Sequence, residues 1–239
     1  MAEFGPYETP PALLRDLLWR CWLGVEYQIR QRWAMGALPP TSDDGHATWA
    51  PEHVAGVFRS ALSEYRGEPM LGDDAAGAAV LRDACRHHTM LMDARISATL
   101  AANIRLPYLE LCVRFGLSYA QRLTLSFAVM PEVDPKLLVA DRYLSSDPGC
   151  RSLDARLLAM LVYDTSESRA EMSRDLAATS PLLMYRLIEQ DDALFPEHMV
   201  ARAAAALASP EAMLVLQGVG VGDLRFVGVL NYHRKYATR

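Results

Sequence analysis

The chain has 239 residues, of which 51% are hydrophobic and 22% are charged, and its formal net charge is −5. This length and apolar content suffice for one large core or two small ones, and they exclude a wholly disordered chain. The acidic balance counts against nucleic acid as the main partner, because dedicated nucleic-acid binders carry a basic domain or stripe.

The cysteines and the N-terminal residues indicate the compartment. The four cysteines form neither a C-x-x-C pair nor a zinc-like spacing, and they predict buried thiols in a reducing compartment. The first residues, MAEFGPYETPP, lack the basic and apolar regions of a secretory signal, and charged residues interrupt the first apolar run. We therefore expect a cytoplasmic protein without membrane insertion.

Helical patterns dominate the first 102 residues. Apolar residues recur at helical spacing from Leu13 to Trp33, between Pro10 and Gly36. A second helical pattern covers about 48–67, and a third, rich in alanine, covers about 75–103. Residues 1–102 are therefore predicted to form an N-terminal helical bundle.

The stretch RLPYLELCVRFGLSYAQRLTLSFAVMPEVDP predicts two further helices joined by a short turn. Pro107 begins the first helix, and Gly116 suits the left-handed position that follows its last turn. Ser118 is the N-cap of the second helix, and Pro131 is expected to end it. Such a helix-turn-helix could read DNA, hold a partner or only pack a core.

The second helix of that pair offers few polar residues for reading bases. Tyr119, Gln121 and Arg122 stand in its first turn, and the sequence after them is strongly apolar. A recognition helix presents polar and basic residues outward at its N-terminal end. DNA binding is therefore the less favoured alternative.

Further helical patterns follow Asp134 and cover about 152–163, 168–178, a short segment from Pro181, and the alanine-rich segment 197–209. The sequence LRFVGVL, at 224–230, has the β-branched and aromatic residues of a strand. The second half of the chain is therefore predicted to be helical, with short strands near the C-terminus.

No motif for catalysis, nucleotide binding or metal binding is present in the sequence. The glycine-rich stretch GVGVGD lacks the Lys-Ser/Thr of a phosphate loop, and there is no G-x-S-x-G nucleophile elbow. Cys85 and His88 share a helix face, but no second pair of ligands accompanies them. We expect no cofactor, no metal and no enzymatic activity, with an enzyme whose site is assembled only by the fold as an alternative.

Aromatic residues crowd the first helix. Trp19 and Trp22 share a face, whereas Tyr27 and Trp33 lie elsewhere around the helix. This distribution indicates either a helix buried on all sides or one that offers an aromatic face to a partner. The candidate partner-binding residues are Trp19, Trp22, Trp33 and Arg122.

A family resemblance begins at Leu106. The stretch LPYLELCVRFGLSYAQRLTLSFAVMPEVDPKLL resembles the pattern of the variant winged-helix region that precedes the ATPase module in a family of bacterial AAA+ proteins. Some members of that family are similar to ATPases encoded with extracellular contractile injection systems. The stretches RYLSSDPGCRSLDARLLAML and SPLLMYRLIE resemble later elements of the same region, so the resemblance covers about 104–190. DPG stands where the family has D-D, and the first 100 residues carry no such resemblance.

The resemblance implies a winged-helix-like helical domain, which we place at 103–217. Together with the helical patterns before it, the expected fold is mostly α, with an N-terminal helical bundle (1–102) and a C-terminal tail (218–239). It implies no ATPase activity, because the chain has no G-x-x-x-x-G-K-S/T motif. The chain is then either the N-terminal part of a longer protein or a stand-alone relative. The expected function is a non-catalytic adaptor or substrate-recruiting module with a protein partner, which could also form a homo-oligomer. The alternatives are a winged-helix DNA-binding regulator and, after it, an enzyme whose site is assembled only by the fold.

Overall fold

The computed structural model describes residues 5–37, 75–146, 153–190 and 200–203. The described residues form eight helices and three short strands, in the order α1 (Pro10–Ala34), α2 (Ala75–Ala101), α3 (Pro107–Arg114), α4 (Tyr119–Val133), α5 (Lys136–Ser145), β1 (Leu153–Asp154), α6 (Ala155–Leu161), α7 (Ser166–Asp175), α8 (Pro181–Met184), β2 (Ile188–Gln190) and β3 (Val200–Ala203). The expected mostly helical fold is confirmed.

The first helix lies at the centre of the fold. Helix α1 begins at Pro10, where the missing N–H costs nothing, and it packs along α2 while also contacting α4, α5 and α6. Its last turns are fixed by polar bonds: Gln28 Nε2 donates to the carbonyl of Met160 at 2.6 Å, and Arg32 Nη1 donates to that of Leu144 at 3.2 Å. The predicted helix at 48–67 lies outside the described residues.

The turn between α3 and α4 is the one that the sequence predicts. Gly116 has φ of +60°, which is strained for residues with a side chain, so glycine is the residue that suits this position. Ser118 and Gln121 form a capping box: the Ser118 hydroxyl accepts from the Gln121 N–H, and the Gln121 side chain accepts from the Ser118 N–H. The prediction that Pro131 ends α4 is wrong. The helix loses one hydrogen bond there and continues to Val133, since the fixed φ of proline is itself helical.

A small antiparallel sheet accompanies the helices of the second half. Strand β3 lies between the other two strands, with Asp154 opposite Val200 and Ile188 opposite Ala203. The helix predicted over 197–209 is therefore wrong at Val200–Ala203. Alanine has the highest helix propensity, but propensities are small in energy, and hydrogen bonding to a strand on each side outweighs them here.

The core is continuous along the chain. One cluster of buried apolar residues extends from Tyr7 through α1, α3, α4, α5 and α6 to Ile188, and so includes residues on both sides of position 102. A smaller cluster joins Leu23 of α1 to Leu81 and Cys85 of α2. The boundaries at 102/103 and 217/218 stay predictions. Within the described ranges, no helix combines the length and apolar composition needed to cross a bilayer.

Candidate functional site

The helix pair α3–α4 packs the core and does not present a reading face. Every α4 residue from Leu123 to Met130 is buried, so this stretch of the helix is enclosed on all sides. Gln121, which the sequence offered for base contacts, is 6% exposed and is used in the capping box. The stretch of α4 from Leu123 to Met130 therefore has no free surface with which to enter a DNA groove, and Tyr119 is the exposed side chain of its first turn.

The tryptophans of α1 serve the interior more than the surface. Trp22 is 3% exposed, and its indole N–H donates to Oδ2 of Asp134 at 3.0 Å. The N–H of Trp33 donates to the Tyr143 hydroxyl at 2.7 Å, and Trp19 is half-buried against the same core. Trp22 is thus unavailable to a partner in this structure, because both its ring and its N–H are already used.

Arg122 is half-buried at the end of the first turn of α4. Its backbone carbonyl accepts from the Tyr108 hydroxyl at 2.8 Å and from the Ser126 hydroxyl at 2.9 Å. Its buried Nε atom has no hydrogen-bond partner among the described residues. Arg122 therefore lines a partly open space between α1, α2, α3 and α4, and only part of its side chain is accessible to a partner.

Cys85 and His88 lie on the buried face of α2. The His88 Nε2 atom is 2.9 Å from the carbonyl oxygen of Asp16, so it donates a proton to that oxygen. Across the ranges that the structure describes, no three His, Cys, Asp or Glu side chains converge as metal ligands. His88 is thus committed to joining α2 to α1.

A second helix-turn-helix, formed by α6 and α7, reaches the surface. Four residues, 162–165, connect the two helices, and Thr165 caps α7 through a reciprocal pair of bonds with Ser168. None of the α7 residues is buried, and only Ser168, Met172 and Asp175 are half-buried. Strand β1 precedes this pair and strands β2 and β3 follow it, as in a winged-helix element.

The exposed helix α7 is acidic. Its sequence, SESRAEMSRD, carries three carboxylates and two guanidinium groups, which gives a formal charge of 2 − 3 = −1. Arg174 lies 3.7 Å from the carboxylate of Glu171, and Arg169 Nε donates to the carbonyl of Tyr163 at 3.4 Å. Both basic side chains therefore already have partners on the protein.

Partly buried polar contacts hold the C-terminal end of α7 against α4. Asp175 Oδ1 accepts from Gln121 Nε2 at 3.0 Å, and Asp175 Oδ2 accepts from the Tyr163 hydroxyl at 3.1 Å. The Tyr163 hydroxyl also lies 3.4 Å from that of Thr124. Burial raises the pKa of the Asp175 carboxyl, although both hydrogen bonds act in the opposite direction, and burial likewise raises the pKa of Tyr163. The network fixes the exposed helix to the most buried one.

The sequence contained a signal for α7 that the helical pattern did not reveal. Periodicity placed the helix at 168–178, whereas it begins at Ser166, directly after the Thr165 cap. The spacing of Thr165 and Ser168, which form a capping box, would have predicted that the helix begins at Ser166. Because its few half-buried residues give only a weak apolar period, this helix could not be recognised as a surface element from its pattern.

Comparison with known families agrees with this arrangement. No curated protein sequence and no solved structure shows significant similarity to the chain. A family model described as "Winged helix domain, variant" matches residues 2–204. With that match over most of its length, the chain belongs to the variant winged-helix domain family.

Proposed function

We propose that this protein is a non-catalytic interaction module, of the adaptor or substrate-recruiting kind, and that it binds a protein partner through the exposed face of α7. The observation that carries the proposal is the character of that helix. It is the second helix of a helix-turn-helix, all its side chains are at least partly accessible, and its formal charge is −1. An exposed helix with a negative formal charge suits a protein surface better than a phosphate backbone.

Electrostatics favours protein over DNA at this site. A helix that enters the major groove approaches phosphates on both sides, so carboxylates there are repelled. Glu167 and Glu171 are exposed on α7, and the net charge of the whole chain is also negative. A partner whose surface carries basic residues would instead be attracted.

The partner is proposed to belong to an AAA+ machine or to be one of its substrates. The resemblance of residues 104–190 to the region preceding an ATPase module, including modules of contractile-injection-associated type, supports this setting. In such machines the region ahead of the motor commonly selects substrates. The residues that carry the resemblance form turns and helix caps; they include Gly116, Ser118 and Asp134. They therefore support the AAA+ setting only because they indicate a shared fold.

A site-specific photocrosslink tests the proposed surface. A benzophenone amino acid replaces Ala170 on exposed α7, and a control chain carries it at Met90 on α2, which is 70% exposed. We expect a protein product from position 170 that is absent from position 90 and is lost when Glu167 and Glu171 are changed to lysine. Crosslinking to nucleic acid from position 170, or the same products from both positions, would contradict the proposal. A product of twice the chain mass would identify a second copy of the chain as the partner.

The AAA+ setting has a separate test. The coding region is sequenced past the codon for Arg239. An open frame that leads to a G-x-x-x-x-G-K-S/T motif would support a motor-linked adaptor. A stop codon directly after Arg239 would contradict the proposal that this chain and an ATPase module are parts of one polypeptide. The proposed partner surface on α7 would then depend on the crosslinking result alone.

A further inference from the structure

The outer side of α2 carries exposed apolar residues. Among the described residues, seven large hydrophobic side chains are exposed, and three of them, Val80, Met90 and Leu100, lie on this helix. The opposite side of α2 packs along α1, where Leu81 and His88 are buried. Met90 is 70% exposed near the middle of a helix of 27 residues. One exposed methionine is ordinary, but the residues around Met90 form a pattern.

Exposed residues continue from Met90 in both directions along α2 at alternating steps of three and four. Such steps place side chains on one side of a helix. Small side chains lie on either side of Met90, at Ala79 and Ser97 within the row and at Ala94 beside it, so a second helix can approach closely. We call the row the α2 stripe, and all its members are exposed: Ala79, Asp83, Arg86, Met90, Asp93, Ser97 and Leu100.

The stripe carries opposite charges on the two sides of Met90. Arg86 stands one turn before Met90, and Asp93 stands one turn after it. Within the described ranges, the Asp93 carboxylate has no ion-pair partner. Arg86 lies 3.9 Å from Asp83, but the two side chains are 71% and 70% exposed, so this pair contributes little. Both Arg86 and Asp93 are therefore available to a partner.

This order of charges complements a second copy of the same helix. In an antiparallel pair that crosses at Met90, Arg86 of one copy lies level with Asp93 of the other, and the two-fold symmetry forms the pair twice. A parallel pair would instead place Arg86 against Arg86 and Asp93 against Asp93, and these like charges repel. Methionine suits the centre of such a crossing, because its flexible side chain adapts to a copy of itself.

We propose that two copies of this chain associate through their α2 stripes, packed antiparallel with the Met90 side chains at the two-fold axis. This surface is on a different helix from α7, so the protein partner proposed for α7 neither requires it nor depends on it. The two proposals are also tested separately. A benzophenone amino acid at position 90 should give a product of twice the chain mass, and a product with a different protein from that position would overturn the α2 proposal.

Analytical ultracentrifugation of the full chain measures the association, over concentrations from about 1 μM to about 1 mM. We expect the mass to rise from that of one chain to that of two. Met90→Lys places two like charges at the axis and should weaken the dimer at least about tenfold. Val113→Lys is the matched control, because Val113 is 63% exposed on α3, and it should leave the dimer unchanged. A single-chain mass at every concentration, or equal effects of the two substitutions, would overturn the proposal.

A charge exchange tests the antiparallel arrangement. Arg86→Asp sets Asp against Asp93 of the second copy, and Asp93→Arg sets Arg against Arg86, so each variant alone should dimerise at least about tenfold more weakly. An equimolar mixture of the two variants restores opposite charges at both pairs and should dimerise about as tightly as the unmodified chain. Both side chains are exposed, so neither substitution should unfold the chain, and circular dichroism checks this. A mixture that associates no better than the separate variants would overturn the arrangement.

Discussion

The indole N–H of Trp22 donates to Oδ2 of Asp134 at 3.0 Å, across a sequence separation of 112 residues. The other carboxylate oxygen, Oδ1, accepts from the backbone N–H of Lys136 at 3.1 Å, at the start of α5. One side chain therefore joins the middle of α1 to the junction of α4 and α5.

Removing this carboxylate is expected to destabilise the fold. In Asp134→Ala the buried Trp22 N–H loses its acceptor and α5 loses a capping bond, so the free energy of unfolding should fall by about 1 to 3 kcal/mol. Urea denaturation measures the change. Glu132→Ala is the matched control, because Glu132 is exposed two residues earlier, and it should change stability by less than about 0.5 kcal/mol. Equal effects of the two substitutions would show that the Trp22 contact contributes nothing.

The Tyr163 hydroxyl provides a second test, since it is part of the network that holds α7. Tyr163→Phe leaves Oδ2 of Asp175 without its donor at 3.1 Å, and the expected loss of stability is about 1 to 2 kcal/mol. Hydrogen exchange should also become faster in α7, because its anchor to α4 is weakened.

Tyr27→Phe is the control for this substitution. Tyr27 is half-buried, and its hydroxyl makes no hydrogen bond within the described residues. Its removal should therefore change stability little. A stability loss in Tyr163→Phe without faster exchange in α7 would mean that the network supports the core and does not fix the exposed helix.

The buried pair Glu26 and Arg30 gives a prediction for pH. Burial raises the pKa of the Glu26 carboxyl to about 7 despite the opposing effect of Arg30, whose Nε lies 2.9 Å away. Because the folded-state pKa exceeds the unfolded value of about 4.5, the folded state binds more protons between these two values. The contribution of Glu26 to stability should therefore rise as pH falls from about 7 to about 4.5.

A glutamine variant isolates this contribution from those of other carboxyl groups. Glu26→Gln keeps an acceptor for Arg30 and cannot titrate. The difference in unfolding free energy, unmodified chain minus variant, should grow by about 1 to 3 kcal/mol as pH falls through that window. Denaturant titrations at a series of pH values measure it. A difference that shrinks on acidification would mean that Arg30 outweighs burial and that the folded-state pKa of Glu26 lies below its unfolded value.

The turns could be predicted from local sequence. Gly116 and Ser118 were identified because a left-handed residue and an N-cap depend on their immediate neighbours, and the helix from Pro181 was identified for the same reason. Strand β3 was missed because it is defined by hydrogen bonds to two other strands, one of them β1, which lies far earlier in the chain, and a local pattern does not show such pairing. Local signals of this kind specify turns and caps, and so they identify a fold. The resemblance, which rests on such stretches as FGLS (115–118) and PEVDP (131–135), therefore concerns the architecture and does not identify a partner.

The candidate sites depended on contacts that no local pattern shows. Gln121 meets Asp175 across 54 residues, and this contact turns a proposed reading residue into an anchor for α7. Arg122 was chosen from the sequence as a surface residue, but the packing of α1, α2 and α3 around it forms a pocket. The aromatic residues on several sides of α1 were consistent with two interpretations, a helix buried on all sides and a helix that offers an aromatic face to a partner. Only the tertiary contacts of Trp22 and Trp33 settle where those side chains lie.

A charge reversal on α7 tests whether this helix is the element that reaches a partner. The double substitution Glu167→Lys and Glu171→Lys changes the formal charge of α7 from −1 to +3, since each substitution adds two charges. Both side chains are exposed, and the Glu171–Arg174 pair lies at the surface, so stability should change by less than about 0.5 kcal/mol. If α7 projects as the second helix of a helix-turn-helix, the variant should acquire affinity for random duplex DNA that falls steeply between about 50 and 200 mM salt.

The control moves the same charge elsewhere. Asp83→Lys with Glu132→Lys also adds four charges, at exposed positions on α2 and α4. Fluorescence anisotropy with a labelled duplex should show clear binding by the α7 variant and much weaker binding by the control, because only a projecting helix places its lysines close to several phosphates at once. Equal binding by the two variants would mean that net charge alone is responsible and that α7 holds no special position. Tight, sequence-specific binding by the unmodified chain at physiological salt would instead favour a DNA-binding regulator over a protein-binding adaptor.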